Sequence, residues 1–192
     1  MGPSYRSYIA LDDLITGPTC IPYNQELPSF TLPTTIATTT FFPVKSLACD
    51  FECNCSCSWN FDPTGTINWI IKQGPSTDLF TGPTTDHTLQ SSTGFYAYIS
   101  TQSSVLFNDA ARFISPILNI GSSGLCLQFF YHMYGANINR LNIYLKQNDN
   151  FGKPIWQKIG DQGNKWILGQ VYVDQLGNFQ LVIEGVAGNG IR

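Results

Sequence analysis

Cys49-Asp50-Phe51-Glu52, followed by Cys57-Ser58-Trp59 and then Asn68-Trp69, is the stretch on which the reading of this chain turns. Later motifs extend it in a fixed order. They are Gly82-Pro83-Thr84-Thr85-Asp86-His87-Thr88, Ser115-Pro116, the run Cys126-Leu127-Gln128-Phe129-Phe130-Tyr131-His132-Met133-Tyr134-Gly135, and Trp156 ahead of Gln162-Gly163-Asn164-Lys165-Trp166. From residue 47 onward the signal is β throughout, with short runs of Val, Ile, Tyr, Phe and Trp separated by Gly, Asn, Asp and Ser. Leu141, Ile143 and Leu145 alternate with Asn142, Tyr144 and Lys146, and Phe179, Leu181 and Ile183 alternate with Gln180, Val182 and Glu184. A period of two puts each apolar set on one face of a strand. Further strands are expected near residues 95 to 100, 125 to 134 and 165 to 173. Turn signals such as Gly121-Ser122-Ser123-Gly124, Asn148-Asp149-Asn150 and Leu176-Gly177-Asn178 recur at the spacing of a sandwich, and no window carries a sustained helical period. The expected fold is all-β, two packed antiparallel sheets.

Taken together, these motifs resemble the MAM domain, an extracellular adhesion module named after meprin, a cell-surface antigen and a receptor tyrosine phosphatase. The resemblance runs from about Leu47 to Arg192. It implies a jelly-roll form of the sandwich. It also implies a non-catalytic extracellular or cell-surface module that works by protein-protein contact, including contact with its own kind, inside a larger multidomain protein.

One element of the family pattern is displaced. Members of the family end in a Glu-Gly stretch, a glycine-rich turn, a strand containing Ala-x-Asp-Asp and a final cysteine. Here residues Glu184-Gly185-Val186-Ala187-Gly188-Asn189-Gly190-Ile191-Arg192 close the chain, and the missing pattern stands near its start as Ser7-Tyr8-Ile9-Ala10-Leu11-Asp12-Asp13-Leu14, followed by Cys20. The chain therefore divides into a closing-strand segment (1–20), a Pro/Thr-rich linker (21–46) and a MAM region lacking its usual last strand (47–192). The first segment is either the tail of a preceding domain or the closing strand of this one. Residues 47–192 alone would leave an open sheet edge, which is a template for strand addition, and segment 8–15 is the candidate to fill it. The 26-residue linker reaches about 85 Å when extended, against a radius of gyration of about 15 Å for such a domain, so length permits self-closure as well as exchange between chains.

Bulk properties narrow the partners. A chain of 192 residues, 43% hydrophobic and 14% aromatic, holds one full core. Ten Lys and Arg spread along a chain of net charge −3 give no basic face for nucleic acid. No apolar run approaches the roughly 20 residues of a membrane helix, and Met1-Gly2-Pro3-Ser4-Tyr5-Arg6 has no signal-peptide character. The chain reads as a piece of something larger, with any membrane association supplied by the parent protein. The linker holds Pro22, Pro28, Pro33, Pro43 and six threonines, a composition that cannot bury a core and that also suits O-linked sugar.

The six cysteines Cys20, Cys49, Cys53, Cys55, Cys57 and Cys126 are an even count suited to an oxidising compartment. Spacings of four, two and two among Cys49, Cys53, Cys55 and Cys57 match no usual zinc frame. The family resemblance implies a Cys49–Cys57 bridge, and it makes Cys20 the partner of Cys126. Cys53 and Cys55 are extra to the family pattern. They bond either between chains or to each other, the latter across a single intervening residue.

Candidate chemistry is sparse. Asp86-His87 are neighbours in sequence, and adjacent side chains in extended structure point apart, so His87 reads as a loop histidine bonding to backbone; His132 reads as core or edge packing. There is no Gly-x-Ser-x-Gly and no His-Glu-x-x-His, and Gly121-Ser122-Ser123-Gly124 is one residue short of a nucleophile elbow. No enzyme and no required cofactor are expected. The family resemblance does suggest a structural Ca2+ or Na+ held by Glu52, Asn68 and Asp13, with Asn for the usual Asp lowering ligand charge; the alternative is that Glu52 and Asp13 simply hydrogen-bond at the sheet end. Asn54-Cys55-Ser56 is a glycosylation sequon. A carbohydrate-binding jelly roll is the alternative function, and it calls for Trp156 or Trp166 in solvent.

Overall fold

The computed structural model describes residues 7–17, 20, 47–76, 81–100, 105–122 and 124–188. The linker reading at 21–46 falls outside them. Among the described residues eleven strands form two sheets: β1 (Tyr8–Gly17), β2 (Asn60–Phe61), β3 (Ile70–Gln73), β4 (Phe95–Ser100), β5 (Ala110–Ile114), β6 (Leu125–Tyr134), β7 (Ile138–Gln147), β8 (Asn150–Phe151), β9 (Trp156–Ile159), β10 (Ile167–Val173) and β11 (Gln180–Ala187). The first sheet runs β10-β6-β1-β4-β3 and the second β2-β5-β11-β7-β8, with β9 also on β7. Every pairing is antiparallel. The fold is the two-sheet jelly-roll sandwich expected from the alternating pattern, and no helix occurs among the described residues.

The N-terminal segment does supply a strand to this sandwich, but not at an edge. β1 lies in the interior of its sheet, with Ile9 opposite Ile99 of β4 on one side and Met133 of β6 on the other. Residues 8–15 pair antiparallel within the sandwich as the closing strand, and burial shows why that strand sits inside the sheet. Tyr8, Ile9, Ala10 and Leu11 are all buried, on both faces in turn, which is the mark of a strand covered above and below. Ile9, Leu11 and Leu14 join the inter-sheet core, whereas Tyr8 and Ala10 join a smaller cluster with Tyr96 and Tyr98 on the outer face. Past Leu11 the pairing with β6 shifts between Asp12 and Ile15, and Asp13 takes a positive φ of 47°, as a bulge demands.

Phe113 of β5 stands at the centre of the inter-sheet core. Its ring stacks on Trp59 at 5.9 Å and meets Phe51, Phe61 and Trp69 at 6.1, 4.9 and 6.4 Å. Both indole N–H groups are satisfied, Trp59 donating to the Leu47 carbonyl at 2.8 Å and Trp69 to that of Ala111 at 3.1 Å; this is what allows them to be buried completely. Gly185 gives Trp69 its place: a Cβ there would come within 2.9 Å of the indole and 2.8 Å of Ile99. Three disulfides join Cys20 to Cys126, Cys49 to Cys57 and Cys53 to Cys55.

Candidate interaction surface

Alternation along β5, β7 and β11 turns one set of side chains inward and the other to the outer face of the second sheet. That outer face carries a connected polar network. Glu184 of β11 stands in register with Arg112 of β5 and Asn142 of β7. Its carboxylate accepts from Arg112 Nε at 2.7 Å, and from Asn142 Nδ2 and the Tyr144 hydroxyl at 3.0 Å each. Gln157 of β9 donates to Asn142 Oδ1 at 2.8 Å. Three donors around a buried carboxylate replace the water it has lost. Burial first, and Glu184 second, push the Tyr144 phenol above its usual range.

Aromatic and apolar groups flank this network. Phe151 of β8, 41% exposed, lies edge-on to Tyr144, with the Arg112 guanidinium 5.4 Å and the Lys146 ammonium 5.8 Å from its ring centre. Ile159 of β9 stands in register with Arg140 and is 65% exposed. The face thus combines Arg112, Arg140, Tyr144, Phe151 and Ile159 over strands whose register holds them rigidly. Tyr and Arg anchors on a hydrogen-bonded base are the composition of contact surfaces between proteins.

The outer face of the first sheet is built differently, because the loop from Thr81 to Gly94 is bonded across it. Trp166 donates to the Thr85 carbonyl at 2.9 Å, and the Thr81 hydroxyl donates to that of Tyr134. His87 does not behave as a loop histidine bonded to backbone. Its Nδ1 meets Asp13 Oδ2 at 2.6 Å, across 74 residues of sequence, and its ring stacks on Phe130 at 3.4 Å. Beneath it Asp12 is wholly buried, and its carboxylate accepts from the amides of His87, Asp13 and Thr88. Burial dominates and raises the Asp12 carboxyl to about 7, against the pull of those amides.

His132 lies under Trp166, bonded through Nε2 to Asn164 Oδ1 at 3.0 Å, with Nδ1 buried and without a partner. Burial lowers its pKa from the usual 6.5 to about 4. Unfolded chains take up this proton near pH 6.5 while the native state resists it until about 4, so the stabilisation is complete above pH 6.5 and is lost as pH falls toward 4. His132→Phe is expected to leave stability at pH 7 nearly unchanged and to flatten that acid limb by about 3 kcal/mol. Urea unfolding of both proteins at pH 7 and pH 4.5 checks this; parallel profiles would count against it.

The three residues suggested for a hard cation are not gathered at one point. Glu52 Oε1 accepts from the Phe95 amide at 2.9 Å, and Asp13 is taken up by His87 and by the Thr88 hydroxyl at 2.7 Å. Asn68 is exposed and lies beyond Ile70, which pairs with Tyr98, whereas Phe95 pairs with Gln73 at the other end of β3. Three residues of strand alone separate those ends by about 10 Å. As arranged, the set does not fit a six- to eight-oxygen shell. Asn54 is exposed at a turn, between the bonded Cys53 and Cys55. The tryptophans are not a sugar platform: Trp59 and Trp69 are buried, Trp156 packs against Phe129 and Tyr131, and Trp166 is half-buried over Tyr96. Sequence reasoning missed the Glu184 network, although its members are the polar half of the alternation in β7 and β11.

The family described as "MAM domain, meprin/A5/mu" matches residues 49–192, leaving β1 outside the match. MAM domain-containing glycosylphosphatidylinositol anchor protein 2 of Mus musculus is 35% identical over 159 residues, covering 75% of this chain and 16% of that protein. Its Homo sapiens counterpart is 34% identical over 164 residues, covering 78% of this chain and 17% of that one. Thyroid hormone-induced protein B of Xenopus laevis is 34% identical over 146 residues, covering 75% and 21%. The chain thus spans about a sixth to a fifth of the length of these relatives.

Proposed function

The chain belongs to the MAM domain family, and from that premise we propose that it is a non-catalytic extracellular adhesion module acting by protein-protein contact, self-association included. It serves within a larger cell-surface or secreted protein, which supplies any membrane association. The outer face of the second sheet is the observation that carries this reading. Arg112, Arg140, Tyr144, Phe151 and Ile159 there stand on a hydrogen-bonded base that requires no reordering on contact. Relatives named for a glycosylphosphatidylinositol anchor support the cell-surface setting.

The test is aggregation of beads coated with the full chain, beside binding of the soluble chain to cells. Wild-type beads are expected to cluster. Phe151→Asp combined with Arg140→Glu is expected to weaken association about thirtyfold, the loss of one hot spot of about 2 kcal/mol, with the melting temperature unchanged. Clustering by the variant equal to wild type would exclude this face. Dispersed wild-type beads that bind no cells would exclude adhesion, and glycan-array binding lost in Phe151→Asp would replace it with the carbohydrate reading.

A further inference from the structure

From Cys49 to Cys57 four cysteines make two disulfides of unlike surroundings. Cys53, Cys55 and Cys57 are exposed, whereas Cys49 is 4% exposed inside the core with Leu14 and Phe51. The sulfurs of Cys53, Cys55 and Cys57 lie within 4.8 Å of one another. The Cys53–Cys55 bridge encloses only Asn54, which is held at a positive φ of 53°. It is the shortest loop of the three, and both of its residues are exposed.

The two ends of that bridge are not equivalent. Cys55 Sγ accepts the amide N–H of Cys57 at 3.4 Å. A donor to sulfur favours the thiolate, and the sulfur whose thiolate is favoured is the better leaving group in exchange. Attack at Cys57, by contrast, would expel Cys49 as a thiolate into an apolar, buried position, where that charge is disfavoured. Attack at Cys20 would do the same at Cys126, 1% exposed.

We propose that Cys53–Cys55 is a thiol–disulfide exchange site for low-molecular-weight thiols of the glutathione class, with Cys53 the sulfur attacked and Cys55 the sulfur released. In the first step an external thiolate bonds to Cys53 Sγ while the Cys53–Cys55 bond breaks and its electron pair leaves on Cys55; one disulfide is exchanged for another. A second thiolate attacks the external sulfur of that mixed disulfide, releasing the oxidised small disulfide and Cys53 as thiolate. The protein bridge has then gained two electrons, and two small thiols have lost one each. The released Cys55 thiolate lies beside Cys57, yet passing the opening on to Cys49–Cys57 would again expel Cys49 into the core. Exchange therefore stops at the surface, and the two bridges that tie the sandwich stay closed. This proposal is independent of the adhesion reading.

The native full chain, incubated with reduced glutathione at neutral pH, quenched with N-ethylmaleimide and mapped by peptide mass spectrometry, tests it. Cys53 and Cys55 are expected to be labelled about tenfold sooner than any other cysteine. The transient glutathione adduct is expected on Cys53, and oxidised glutathione should restore the bridge with near-ultraviolet circular dichroism unchanged throughout. Labelling of Cys49 or Cys57 at the same rate would overturn the proposal, and an adduct on Cys55 would overturn its direction. In Cys53→Ser/Cys55→Ser fast labelling should vanish; its persistence at Cys49 or Cys57 would also overturn the proposal.

Discussion

A chain beginning at Leu47 is expected not to fold: thermal unfolding should show no cooperative transition and near-ultraviolet circular dichroism no fixed aromatic signal. The magnitude follows from β1. Tyr8, Ile9, Leu11 and Leu14 are each at most 1% exposed, and full burial of such side chains is worth about 1.5 to 3 kcal/mol apiece, or roughly 6 to 12 kcal/mol together. The stability of a whole domain is about 5 to 15 kcal/mol. Losing β1 also removes the ladders to β4 and β6 at once, so those two strands would each face a gap in the sheet interior. Buried backbone groups left unpaired add to the cost. A chain beginning at Leu47 that melts cooperatively within a few degrees of the full chain would refute this.

Cys20→Ser/Cys126→Ser is expected to cost about 5 kcal/mol, lowering the melting temperature by about 10 to 20 °C. Cys20 and Cys126 are 106 residues apart in sequence, and closing so long a loop restricts the unfolded chain far more than the short loop of Cys49–Cys57 does. Chain entropy assigns that shorter bridge only about 2 to 3 kcal/mol. Geometry adds to the entropy: Gly17, the end of β1, pairs with Cys126 of β6, so the bridge fastens the central strand where its ladder ends. The double variant avoids leaving one free thiol to form new bonds. Differential scanning calorimetry of the two proteins measures the effect, and a shift of only a degree or two would mean that β1 is held by its ladder alone.

Much of this fold is legible because strands that face a core on one side must alternate. Leu141, Ile143 and Leu145 mark β7, and Phe179, Leu181 and Ile183 mark β11; the inward-facing Leu141, Ile143, Leu181 and Ile183 are fully buried. β4 and β6 fall where their β-branched and aromatic runs place them. The position of β1 in its sheet is harder to read. Tyr8-Ile9-Ala10-Leu11 is an unbroken apolar run, which signals a strand covered on both faces, whereas the displaced family pattern says only that this segment closes the sandwich. Long-range chemistry is harder still. His87 finds Asp13 rather than its neighbour Asp86 because the loop is bonded across a sheet into which β1 is inserted, and no spacing within Thr85-Asp86-His87-Thr88 records that. The Glu184 network is half legible: alternation places Asn142, Tyr144 and Glu184 outward, while the register that joins them to Arg112 and Gln157 comes only from the folded sheet.

The fold depends on β1 being an interior strand of its own sandwich, and amide hydrogen exchange of the intact chain over residues 7–17, read by mass spectrometry, addresses that most directly. The amides of β1 are expected to exchange only with global unfolding, as slowly as those of β6. Exchange of β1 within minutes, while β6 stays protected, would contradict it.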